Sequence, residues 1–265
     1  MELWQALVLG IVEGLTEFVP VSSTGHLILV SRALGIHGEA ANAYSVVIQL
    51  GALLAAVFYY RDTLLKTATG LWRKEPAAQR LLVNLVLGSL PLLVLGYAFG
   101  KRIKAALFAP GPVALALLVG GLVMLLMDRL QQKRQDLLQS AAELSPGRAL
   151  LVGLLQALAL WPGTSRSMVS IAGGQLVRLS TAAAADFAFL LALPTLGAAT
   201  LYELRKEGPL LLSAIGAPQL ALGLVVSFVV GLLVISGFLR YLRRYGLWPF
   251  GLYRIALAAI LWHWL

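Results

Sequence analysis

The chain has 265 residues, 59% hydrophobic and only 12% charged, with a mean hydropathy of +0.84. Soluble domains run to about 45–50% apolar and about 25% charged, so an ordinary water-soluble domain is excluded and an integral membrane protein is expected. The 21 Lys and Arg against 12 Asp and Glu give a net charge of +9, read here as loop charge at a membrane face rather than as a nucleic-acid surface. With no cysteine, disulfides and thiolate metal sites are also excluded.

The first element, residues 3–34, is apolar but interrupted at Pro20 by the run EGLTEFVPVSSTGH, residues 13–26. Each half is too short to cross a bilayer comfortably, so the element is expected to be a re-entrant helical hairpin. No small-residue cleavage site follows a basic N-terminus, so no removable leader is expected. Three apolar stretches follow at 43–60, 81–99 and 111–130, each near the ~20 residues of a spanning helix. Residues 147–178 form a second interrupted element, broken at Pro162 within PGTSRS, residues 162–167. Spans at 182–202, 217–239 and 248–265 complete an all-α membrane fold of six transmembrane helices and two re-entrant hairpins. His37 is assigned to a loop, without a role.

The chain repeats weakly within its single membrane domain, 1–265. Gly10 aligns with Gly153, Glu13 with Gln156, Leu53 with Leu196, Tyr59 with Tyr202 and Gly88 with Gly231, all at one spacing. Pro20 and Pro162 are one residue out of that register. The repeats are 1–130 and 147–265, each with one hairpin and three crossings. An odd number of crossings inverts the second repeat relative to the first, so the hairpins should enter from opposite faces and meet near the midplane. Loops 61–80, 128–148 and 240–247 carry 12 Lys or Arg, and loops 100–110 and 203–216 carry 5. The first set is therefore expected on the cytoplasmic side, with the first hairpin opening outward.

Broken backbone within a membrane is tolerated where protein buries it or a wet cavity receives it, and the polar residues at the breaks suggest chemistry. Glu13 and Glu17 are four apart and share a helix face. Such a pair needs an opposing Arg or a divalent cation, and oxygen ligands suit Mg²⁺ or Ca²⁺ completed by substrate phosphate. Ser22, Ser23, Thr24 and His26 open the next half-helix, where free N–H groups and hydroxyls suit an anion. In the second hairpin, Gly163, Thr164, Ser165 and Ser167 surround Arg166, whose planar fork matches phosphate oxygens. Carboxylates, a nucleophile and an imidazole at one tip and a phosphate clamp at the other suit phosphoryl transfer. The bland alternatives are a structural Glu13–Glu17–Arg166 network and hydroxyls acting only as caps or inter-helix bonds. Asp186 is read as a helix cap, and Arg178, Arg254 and His263 as interface residues that snorkel.

EGLTEFVPVSSTGHL, PGTSRS and the later AADFAFLLALPTLGAATLYEL together resemble the undecaprenyl pyrophosphate phosphatases, the bacterial bacitracin-resistance membrane proteins, over the whole chain. The resemblance implies removal of the terminal phosphate from a C55 polyprenyl diphosphate in the bacterial inner membrane, which recycles the lipid carrier of peptidoglycan synthesis. It places Glu13 and Glu17 at the family's two-acid motif, Ser23 and His26 at its Ser and His positions, and Arg166 at the arginine of its second motif. Met168 and Ser170 depart from the family's Gly and Thr.

Glu17, Ser23, His26 and Arg166 are the expected catalytic group. Ser22, Thr24, Gly163, Thr164, Ser165 and Ser167 are expected to bind substrate, and Glu13 with Glu17 to hold the cation. Ser23 with His26 or Glu17 as base, direct histidine attack and an activated water all fit the sequence. The partners are the polyprenyl diphosphate and membrane lipids, with no nucleic acid, and a homodimer is left open. The rival reading is a transporter or flippase of a phosphorylated polyprenyl lipid using the same cavity.

Overall fold

The computed structural model describes residues 1–36, 38–107 and 109–263. His37 lies outside the described residues, as do Phe108, Trp264 and Leu265. Helices dominate: α1 (Leu3–Thr16), α2 (Ser23–Ala33), α3 (Glu39–Val47), α4 (Gln49–Tyr59), α5 (Arg61–Trp72), α6 (Pro76–Leu107), α7 (Pro110–Gln132), α8 (Pro146–Gln156), α9 (Arg166–Leu176), α10 (Thr181–Ala214), α11 (Ala217–Tyr245) and α12 (Trp248–His263). Among the described residues the extended pairing is a single isolated bridge between Leu138 and Leu179.

Five of the helical stretches are long and apolar enough to cross a membrane: 42–59, 76–103, 110–132, 181–209 and 217–245. They fall on five of the six expected spans. The sixth, 248–265, is represented by α12, whose 16 residues are shorter than the other five. The expected loops are also shorter than the sequence suggests. Residues 61–72 are the helix α5, and α10 and α11 carry on through 203–214 and 240–245, because their charged residues are good helix formers; α10 does so even past Pro209.

Both interrupted elements are broken helices. α1 ends before a five-residue turn leading to Ser22, and α8 passes through a 3-10 turn, Ala157–Leu160, to Ser165. Ser22 (φ 73°) and Ser165 (φ 71°) hold the same left-handed backbone, and each side chain caps its helix, accepting from Gly25 N and Met168 N respectively. A short hydroxyl side chain that bonds locally makes this strained conformation tolerable. α2 and α9 are both 11 residues long and end before left-handed Gly35 (φ 67°) and Arg178 (φ 75°). These landmarks keep the spacing that relates Gly10 to Gly153, so the local correspondence between halves is closer than sequence identity suggested.

Close backbone approach holds the broken helices in place. α1 lies along α11, where a Cβ on Gly14 would sit 2.9 Å from the Ser227 carbonyl oxygen; α8 lies along α6, where one on Gly153 would sit 2.6 Å from the Gly88 carbonyl oxygen. Small residues let helices in an apolar medium gain contact that hydrophobic burial cannot supply. The largest apolar core joins Phe18, beside the first break, to α9 and α10, with Phe18 edge-on to Phe189 at 5.0 Å. Gly153→Ala is expected to lower stability by about 1–3 kcal/mol through this overpacking, read as a lower thermal midpoint in detergent. Gly237→Ala, whose added methyl meets nothing within 4 Å, should leave the midpoint unchanged or raise it through helix propensity.

Candidate active site

The two breaks meet. Glu17, the first residue beyond α1, accepts a hydrogen bond from Ser23 Oγ at 2.6 Å through Oε2 and an ion pair from Arg166 Nη2 at 3.3 Å through Oε1. All three are buried or nearly so. The second nitrogen of the Arg166 fork, Nη1, donates to the Ala188 carbonyl at 3.1 Å. Ser167 Oγ reaches across to the Val19 carbonyl at 3.2 Å and lies 3.0 Å from Ser165 Oγ. Residues of both turns thus form one polar cluster inside an apolar bundle.

Glu13 stands one turn below Glu17 and is wholly buried, with no hydrogen-bond partner for either carboxylate oxygen. Two acids thus share a single guanidinium, and Glu13 is left without a partner for either oxygen. No group of three or more His, Cys, Asp or Glu gathers among the described residues. Glu13 and Glu17 are two oxygen donors of the kind Mg²⁺ or Ca²⁺ takes, too few to hold a metal by protein alone.

His26 faces another way. Its Nδ1 lies 2.8 Å from the Ser22 carbonyl and its Nε2 2.6 Å from Tyr253 Oη, with the two rings stacked. A carbonyl only accepts, so Nδ1 carries the proton and Nε2 addresses the tyrosine. Ser23 therefore has Glu17, not His26, as its basic neighbour. Thr24 lines a cavity of about 310 Å³ between α2 and α3, with Ser31, Arg32 and Asn42 also in its walls. Gly163 takes a positive φ of 93°, and a Cβ there would meet the Val113 carbonyl oxygen at 2.7 Å.

Two sequence expectations are corrected. Arg254 does not snorkel: it is fully buried, and its guanidinium donates to the carbonyls of Pro20, Ala116, Gly163 and Thr164 at 3.0–3.3 Å. Its hydrophobic flanks, IALAAILW, resemble those of an anchor at a membrane interface, and nothing local reveals the distant carbonyls it serves. Asp186 does not cap α10, since Ser180 does; Asp186 accepts instead from Tyr60 Oη at 2.6 Å. At the motif departures, Ser170 Oγ donates to Gln156 Oε1 at 3.1 Å and Met168 is buried over Gly120. Tyr253 is the other residue at the site that sequence reading missed.

A family profile described as Bacitracin resistance protein BacA matches residues 6–260. The chain belongs to this family. Among similar proteins, one named undecaprenyl-diphosphatase from Sorangium cellulosum (strain So ce56) is 55% identical over 264 residues, covering 98% of this chain and 85% of the relative. Proteins of the same name from Dechloromonas aromatica (strain RCB) and Ectopseudomonas mendocina (strain ymp) are 46% and 44% identical, covering 97% and 98% of this chain and 93% and 94% of the relatives. Every residue of the Glu17 cluster falls within the matched range.

Glu17→Gln should strand the Arg166 charge inside the bundle, a loss of about 3–5 kcal/mol for a buried pair broken on one side. Pairing it with Arg166→Met removes the stranded charge, so the double variant is expected to melt above Glu17→Gln alone. A double-mutant cycle of thermal midpoints in detergent measures this.

Proposed function

We propose that this protein hydrolyses undecaprenyl diphosphate to undecaprenyl monophosphate and inorganic phosphate, recycling the lipid carrier used in bacterial cell-wall synthesis and thereby supporting bacitracin resistance. The observation that carries the reading is the Glu17–Ser23–Arg166 cluster. It unites an acid, a hydroxyl and a guanidinium from turns 149 residues apart, in a chain whose relatives bear the name undecaprenyl-diphosphatase.

In the proposed reaction the polyprenyl tail lies in grooves between helices and the diphosphate occupies the chamber between the turns. Arg166 exchanges its contact with Glu17 for bidentate contact with the terminal phosphate. Thr164, Ser165, Ser167, Ser22, Thr24 and the backbone at Gly163 are the further substrate-binding candidates. Ser23 Oγ attacks the terminal phosphorus, its proton passes to Glu17 Oε2 across the existing hydrogen bond, and the bridging P–O bond breaks to release the monophosphate. Water then hydrolyses the phosphoserine, returning the proton to Ser23 and releasing phosphate. The Ser23–Glu17 contact favours this route over one with His26 as base of Ser23; His26, through Nε2 and Tyr253, is better placed to move protons at the chamber's edge. Glu13 and Glu17 would hold a Mg²⁺ or Ca²⁺ ion, which when bound neutralises charge on the phosphate oxygens.

The proposed membrane arrangement gives the chemistry its place. α1–α2 and α8–α9 are re-entrant hairpins entering from opposite faces, α12 is the sixth span, and residues 1–130 and 147–265 form inverted repeats. The matching Ser22 and Ser165 caps and the parallel packing of α1 on α11 and α8 on α6 support it. In this arrangement the protein lies in the inner membrane with the first hairpin opening to the periplasmic side.

Phosphate release from undecaprenyl diphosphate by the purified protein in detergent tests the function. Arg166→Lys should lower kcat by about 100-fold or more, since a point charge cannot reproduce a bidentate clamp; near-normal release would contradict the clamp. Chelation should reduce turnover, restored by Mg²⁺ or Ca²⁺. For the topology, single cysteines replacing Glu2 and Ala33 should react with an impermeant maleimide from one face, and those replacing Ser145 and Leu176 from the other.

A further inference from the structure

Arg254 is the most deeply placed cation outside the Glu17 cluster. Its four carbonyl partners belong to three elements: Pro20 to the first turn, Gly163 and Thr164 to the second, and Ala116 to α7. None of the ion pairs among the described residues involves it, and its Nε has no hydrogen-bond partner. An unpaired buried guanidinium is expensive. Carbonyls at both chain breaks offset that cost only while the two turns lie side by side.

The surroundings are built to admit the group. Gly120 of α7 lies against the guanidinium, with Arg254 Cζ 2.8 Å from where a Cβ would stand. Gly121 and Gly251 let α7 and α12 approach through their backbones, each carbonyl oxygen lying 2.7–2.9 Å from where the other's Cβ would be. α12 thus delivers one planar donor to the seam between a turn that leads to Ser23 and a turn that leads to Arg166. A fork with five donors can bridge such a seam; an ammonium cannot reach all four oxygens at once.

We infer that Arg254 is a positioning residue: by hydrogen-bonding Pro20 on one turn and Gly163 and Thr164 on the other, it fixes the spacing across which Ser23 faces Arg166. This rests on the phosphatase reading for its catalytic consequence, but the spacing is measurable without substrate. The chain has no cysteine, and Ser167 Oγ bonds the Val19 backbone carbonyl across the turns, so the rate at which cysteines introduced at these two positions cross-link on oxidation in membranes reports the spacing. Arg254→Gln and Gly120→Ala, the latter keeping every donor but displacing the guanidinium, should slow that cross-linking about 10-fold or more. In chains without the added cysteines, both should lower kcat for phosphate release about 10–100-fold while KM moves less than about 3-fold, as expected for a misaligned attack on a substrate still bound. Arg254→Lys should recover part of both losses. Where Arg254→Gln fails to insert, Gly120→Ala and Arg254→Lys carry the same two readings. Cross-linking at the parental rate in the inserted variants overturns the inference whatever the activity, and so does slowed cross-linking with kcat intact. Slowed cross-linking in variants of a parent that releases no phosphate leaves the spacing role standing and refutes the phosphatase reading instead.

Discussion

A helix broken inside an apolar bundle exposes backbone groups that have no water to bond, and satisfying them is the constraint on which the rest of this structure depends. At the C-terminal side of each break a serine in left-handed backbone accepts from the amide of the third residue of the following helix. At the carbonyl side the partner is not local: Arg254 donates to Pro20, Gly163 and Thr164 from the far end of the chain. The breaks are therefore stable only together. Once they lie together, the polar side chains they carry form one buried cluster, and Glu17 meets both Ser23 and Arg166.

The pairing within that cluster follows from the same geometry. Glu17 divides its two oxygens between a hydroxyl and a guanidinium, leaving Glu13 buried with both oxygens unpartnered. A structural salt bridge would need only one acid. The second stands in the structure without a hydrogen-bond partner, which is the feature that the proposed divalent cation would answer.

Much of this was legible in the sequence because it was carried by local pattern. Apolar runs of about 20 residues located five long helices, and prolines amid hydroxyls and acids located both breaks. The i, i+4 spacing put Glu13 and Glu17 on one face, and Arg166 stood out because a charge amid such apolar surroundings needs a reason. What stayed hidden depends on contacts distant in the chain. Arg254 sits in an unremarkable apolar helix, 90 residues or more from the turn carbonyls it binds, and Tyr253 beside it is equally ordinary. The sequence left His26 and Glu17 both open as a base for Ser23. Three residues apart on a helix the two could be neighbours, but the Ser22 carbonyl and Tyr253 hold the His26 ring toward other partners.

The division of labour between the halves is unequal despite their shared local structure. The two caps, the two half-helices and the two close-packed glycine seams correspond, yet where the first half has Glu13 the second has Gln156, which bonds the Gly88 carbonyl and accepts from Ser170. Its amide can donate and accept, so it is satisfied within the protein, whereas both Glu13 carboxyl oxygens stand without a hydrogen-bond partner. One atom's difference between Gln and Glu thus separates a site that closes on itself from one that remains open to a ligand. α12 adds a second asymmetry by placing Tyr253 against the His26 of one half and Arg254 between both. The two broken helices share their caps and local packing, and their polar side chains differ where the two stretches fail to match.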